Sequence, residues 1–143
     1  MSIIWLCLFW ICLNSVQAVY VPENTCTDYF QYASDINGKS YAGIFKAPIS
    51  RRQRFEWSAT FVVHGHHGVF VSSLMPYPNK DDSVLDLLSG QPNRVYVYFV
   101  NIKNELPKLT LLSLNQMTLC NNTGYGIPST KITVQYIMDQ TKN

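Results

Sequence analysis

This chain has little charge. Asp, Glu, Lys and Arg make up 14% of its 143 residues, and the formal net charge is +2. So small an excess does not point to nucleic acid. Cysteine is also scarce: there are four, and two of them, Cys7 and Cys12, lie in an apolar N-terminal segment. No second long apolar run follows that segment, which excludes a stop-transfer helix. There is no internal repeat, no low-complexity tract and no linker, so a single domain is expected. Neither end carries a lipidation signal.

The N-terminus has the layout of a secretory signal peptide. Ile3 to Leu13 form an apolar run, Asn14 and Ser15 break it, and Val16-Gln17-Ala18 places small residues at the −3 and −1 positions of a cleavage site. Lys and Arg are missing from its n-region. The run is shorter than the roughly 20 apolar residues a membrane span needs. Residues 1–18 are therefore expected to be removed, leaving one domain over residues 19–143, secreted, extracellular and free of the membrane. Secretion exposes the two remaining cysteines, Cys26 and Cys120, to an oxidising compartment, where a disulfide is expected. Closing a loop of about 95 residues removes denatured-state entropy worth roughly 4–5 kcal/mol in the chain-entropy picture.

Between the cysteines the hydrophobic period is mostly two. Phe55, Trp57, Ala59, Phe61 and Val63 alternate with largely polar neighbours, as on a half-buried strand with Trp57 and Phe61 toward the core. Ile132, Val134, Tyr136 and Met138 repeat the pattern. Arg94 to Ile102 is almost continuously apolar and predicts a central strand covered on both faces. Shorter strands are predicted at 29–32, 40–46, 69–74 and 109–114, separated by turn signals such as Asn37-Gly38 and Leu106-Pro107. Ser83 to Leu88 reads equally as a short helix, capped by Asp82 or Ser83 and ended by Gly90, or as a strand. The whole predicts an all-β antiparallel sandwich of about 7–9 strands. The placement of Trp57 relative to the cysteines is not that of a true immunoglobulin domain.

Several blocks carry a family likeness. Cys26 is followed by Tyr29-Phe30-Gln31-Tyr32, Gly38 and Tyr41-Ala42-Gly43-Ile44. Phe61-Val62-Val63 and Val69-Phe70-Val71 come next, then Val95-Tyr96-Val97-Tyr98-Phe99 and Pro107-Lys108-Leu109. The series ends in Leu114-Asn115 and Leu119-Cys120. Together these resemble the N-terminal domain of the gastrulation-defective type of insect serine protease. That domain is a non-catalytic module preceding a trypsin-like domain in an extracellular cascade. The resemblance covers roughly Cys26 to Tyr136. It implies a module that binds rather than catalyses, and here one standing alone, because the chain ends at Asn143. Met1, the signal and the polar tail from Asp139 to Asn143 suggest a complete short product.

The chemistry-bearing residues agree with a non-enzyme. There is no Gly-Asp-Ser-Gly-type nucleophile block, and no Ala-His-Cys context surrounds His64, His66 or His67. No catalytic residue and no cofactor is expected. His64-Gly65-His66-His67-Gly68 offers imidazoles that suit Zn²⁺ or Cu²⁺, but three ligands on one tight turn are sterically awkward. The cluster reads first as a hairpin turn between the strands beginning at Phe55 and Val69, with glycines supplying positive φ. Arg51, Arg52 and Arg54 form the densest positive run, either a solvated loop or a site for sulfated polysaccharide or an acidic partner. Lys39, Lys46, Arg94 and Lys103 extend that patch only if folding gathers them. Asn121-Asn122-Thr123 is an N-glycosylation sequon at Asn121. Tyr96, Tyr98 and Tyr136 read as strand packing.

The leading expectation is a secreted, disulfide-bonded glycoprotein module that binds an extracellular protein, by resemblance a serine protease or its cofactor. Alternatives are a carrier whose interior, lined by Trp57, Phe61 and Phe99, holds a small apolar ligand, and a polyanion-binding module using the arginines. Oligomeric state is open.

Overall fold

The computed structural model describes residues 18–35, 40–65 and 68–140, and the signal-peptide reading of the N-terminus lies outside them except at Ala18. The described residues hold eight strands and one helix: β1 (Phe30–Ser34), β2 (Tyr41–Lys46), β3 (Arg54–His64), β4 (Met75–Pro76), α1 (Lys80–Leu88), β5 (Arg94–Phe99), β6 (Lys108–Leu114), β7 (Met117–Asn121) and β8 (Ser129–Asp139). They make two four-stranded antiparallel sheets in the orders β1-β2-β5-β4 and β7-β6-β3-β8. The expected all-β sandwich is the fold observed.

Period-two burial builds the core. On β3 the apolar odd positions Phe55, Trp57, Ala59, Phe61 and Val63 are buried. All but Val63 share one core cluster with Phe45, Val95, Val97 and Phe99 from the other sheet. The aromatic rings interlock, with Phe61 edge-on to Phe99 at 5.4 Å and to Phe30 at 6.0 Å between centroids. Trp57, Phe61 and Phe99 therefore fill the interior that a carrier would need open. Polar groups carried inward are satisfied. The indole Nε1–H of Trp57 donates to Asn93 Oδ1 at 2.8 Å, and the amide of Asn93 reaches Met138 Sδ. The Tyr32 hydroxyl donates to the Pro107 carbonyl at 2.8 Å, tying one sheet to the other.

Glycine is required at position 43. A methyl group there would lie 2.6 Å from the Phe30 ring, so β1 and β2 close over the core only because the side chain is missing.

The undecided segment is helical. Asn79, rather than Asp82 or Ser83, caps it: its side-chain oxygen accepts the Asp82 N–H at 2.9 Å. Asp81 and Asp82 sit in the first turn, where the helix dipole favours acid. Gly90, with φ of 79°, lies just past the C-cap at Ser89.

Three further expectations fail. The segment 69–74 forms only an isolated bridge, Val71 to Phe99, because the Ser72 hydroxyl takes the Tyr98 N–H and displaces the regular ladder. That segment runs beside β5 in the opposite sheet, so the glycine turn after His64 is a crossover between sheets and not a hairpin; Gly65 and Gly68 do have positive φ. Finally, β5 is buried on one face only: Val95, Val97 and Phe99 point inward, while Tyr96 is half-buried and Tyr98 exposed.

Candidate functional site

Cys26 and Cys120 are bridged, with Cα atoms 5.8 Å apart. Cys26 lies in the turn before β1 and Cys120 on β7, so the bond joins an edge of one sheet to an edge of the other. Asn24 holds the turn in place. Its side-chain oxygen accepts the Cys26 N–H at 2.9 Å and its amide donates to the Phe30 carbonyl at 2.8 Å.

The outward side of the β1-β2-β5-β4 sheet is the most distinctive surface. Strand register sets its rows. Gln31, Ile44, Tyr96 and Met75 share one rung, and Ala33, Ala42 and Tyr98 share the next. Tyr77, just beyond β4, meets Tyr96 edge to face at 5.7 Å, and Tyr96 meets Tyr98 at 5.2 Å. The three rings make a continuous aromatic ladder. The Arg94 guanidinium lies 4.9 Å from the Tyr77 ring centre and 3.2 Å from Asp86 on α1. Lys46 stands directly opposite Arg94 on β2. Beside the ladder is a shallow hollow of about 240 Å³ with Tyr29, Ile44, Lys46, Tyr77 and Arg94 in its walls. A side-chain hydrogen bond with Tyr98, with a smaller desolvation effect, raises the Tyr96 phenol above its usual value, and Lys46 and Arg94 stand together at one end of the ladder.

The expectation that Tyr96 and Tyr98 are packing residues is therefore wrong: they lie on the solvent side, because the core-facing places on β5 belong to valines and Phe99. Tyr136, on β8, is half-buried against the core as expected. The signal that finds the ladder is phase. Val95 and Val97 are one parity and the tyrosines the other, so a strand with one solvated face must expose the tyrosines.

The three arginines are all exposed, but they differ. Arg54 is held by Asp139 at 3.0 Å and Glu56 at 3.7 Å. Arg51 and Arg52 have no ion-pair partner among the described residues. Of the residues considered as extensions, Lys46 and Arg94 belong to the tyrosine side, and Lys103 lines a hollow beside His64 and Phe70. Lys39 lies outside the described residues.

His64 is engaged by protein groups. Its Nδ1 pairs with the Glu105 carboxylate, and its ring stacks on Tyr125 at 4.3 Å. His66 and His67 lie outside the described residues, and no group of three or more potential metal ligands occurs among those described. Asn121 is exposed at the end of β7.

Residues 24–130 match the family described as the serine protease gd N-terminus. No curated protein and no solved structure matches the chain. The chain belongs to this family, whose domain is the N-terminal part of serine proteases and not their catalytic part.

Proposed function

We propose that this chain is a secreted, non-catalytic binding module that docks a protein of an extracellular serine-protease cascade on its tyrosine ladder. The observation that carries the reading is the Tyr77–Tyr96–Tyr98 array, solvent-facing and flanked by Arg94 and Lys46. Tyr and Arg are the residues most enriched where binding energy concentrates at protein interfaces. Rigid rings on a strand lose little entropy when a partner covers them. Family membership supports the link to proteases. Removal of residues 1–18 and a glycan on Asn121 belong to the same proposal; no helix among the described residues is long and apolar enough to cross a membrane. The test is pull-down from the fluid into which the protein is released, comparing the natural chain with a Tyr96→Ser, Tyr98→Ser double variant. Recovery of a protease-cascade component by the first and not the second supports the reading. Equal recovery by both, or none by either, sinks it.

A second reading keeps Arg51 and Arg52 as a polyanion site, favoured by their exposure without ion-pair partners among the described residues. Retention on a heparin column that is unchanged after replacing Arg51, Arg52 and Arg54 by Ala would remove it.

A further inference from the structure

A sandwich has four edge strands, and each is a potential template for another strand. Three of these are short or interrupted. β4 has two residues and contains Pro76. β1 has five residues. β7 also has five, its register with β6 slips between Leu112 and Ser113, and it carries both Cys120 and the sequon asparagine. β8 differs. It runs eleven residues from Ser129 to Asp139, contains no proline or glycine, and pairs with β3 in unbroken register throughout. Among the described residues no other strand pairs with it. α1 touches Met138, but through that side chain and hence from the core side.

Backbone parity shows which groups of β8 face outward. The Gln140 N–H donates to the Gln53 carbonyl, and the Gly65 N–H donates to the Pro128 carbonyl. These bonds lie in line with the β3–β8 register, so even-numbered β8 residues bond to β3. Lys131, Thr133, Gln135, Ile137 and Asp139 therefore direct their N–H and C=O groups away from the sheet.

We propose that β8 is a self-association edge, on which two copies of this chain join antiparallel about a two-fold axis at Gln135. That register uses all five outward residues. Gln135 faces its own copy, Thr133 faces Ile137, and Lys131 faces Asp139, each pair in the hydrogen-bonded position. The charges match twice. Lys131 is exposed and has no ion-pair partner among the described residues, and it faces Asp139, whose largely buried carboxylate it would share with Arg54, 3.0 Å away. On the core side the same register sets Val134 opposite Tyr136 and Ile132 opposite Met138. Ile132, Val134 and Tyr136 are only half-buried in one copy, and the second copy continues their apolar surface. The result is a continuous eight-stranded sheet, which removes the one long edge that nothing interrupts.

Sedimentation of the purified chain, from micromolar to high micromolar concentration, should show a monomer–dimer equilibrium. Gln135→Pro removes an outward N–H that β3 does not use, so it should leave the circular dichroism spectrum native and abolish the dimer. Lys131→Glu places like charges opposite each other and should raise the dissociation constant by about tenfold or more. Gln135→Cys should cross-link to its own copy on oxidation, since paired Cα atoms lie about 5.5 Å apart, inside the range a disulfide spans. Thr133→Cys should not. A chain that stays monomeric at every concentration overturns the proposal. So does a dimer indifferent to both Gln135→Pro and Lys131→Glu, or Thr133→Cys cross-linking as readily as Gln135→Cys.

Discussion

The two outer faces of the sandwich rest on one core and differ in chemistry. The β7-β6-β3-β8 sheet shows solvent Ser58 beside Ser113 and Gln135, and Thr60 hydrogen-bonded to Thr133 at 2.9 Å. Leu111, opposite Thr60, and Ile137, opposite Glu56, are exposed apolar side chains on the same face, but no two tyrosine rings meet there among the described residues. The β1-β2-β5-β4 sheet instead shows the tyrosine ladder, with Tyr98 46% exposed. Among the described residues, the ladder of tyrosine rings is what one face has and the other lacks.

Removing the shared support should damage both faces together. Phe61→Ala empties the centre of the ring cluster, and thermal or denaturant unfolding should show a loss of about 3–5 kcal/mol. Changes on the faces should then separate them. Tyr96→Ser with Tyr98→Ser should weaken partner binding, read by calorimetry or surface capture, by about 2–4 kcal/mol. Ser58→Ala with Ser113→Ala on the opposite face should leave binding unchanged. Equal effects from the two pairs would erase the contrast. Gly43→Ala presses on Phe30 beneath the tyrosine sheet, and should cost about 1–3 kcal/mol in unfolding experiments. The smallest effect is alkaline. Burial raises the Tyr32 phenol above its usual 10.0, so the unfolded chain ionises before the folded one. Stability should be full below about pH 10 and decline as pH rises past it, and Tyr32→Phe should flatten that decline.

Much of the architecture was legible in the sequence for one physical reason: strands with one solvated face write their orientation as alternation. β3 and β8 show it plainly, and their predicted positions agree with the structure to within three residues at either end. β5 misled because tyrosine counts as apolar in a periodicity reading yet tolerates water, so an alternating strand read as a doubly covered one. β7 was missed although the signal was there. Asn115 and Gln116 both take positive φ, 51° and 68°, and make a two-residue turn between Leu114 and Met117. The pairing of segment 69–74 had no sequence signal, since it depends on a serine hydroxyl meeting a backbone N–H from another strand. Of the candidate site, the arginines were visible as a run, but only tertiary structure shows that Arg54 is neutralised by Asp139, 85 residues away.

The Cys26–Cys120 bond also decides how the protein would respond to a protease. Every peptide bond from Thr27 to Leu119 lies inside the covalent loop, including those of the exposed Arg51-Arg52-Gln53-Arg54 segment. One cut there releases nothing. It produces a two-chain molecule of unchanged mass apart from one water, a single band on a gel until the bridge is reduced. In surroundings rich in trypsin-like enzymes, that ring lets the module be nicked and still hold both halves of its sandwich together.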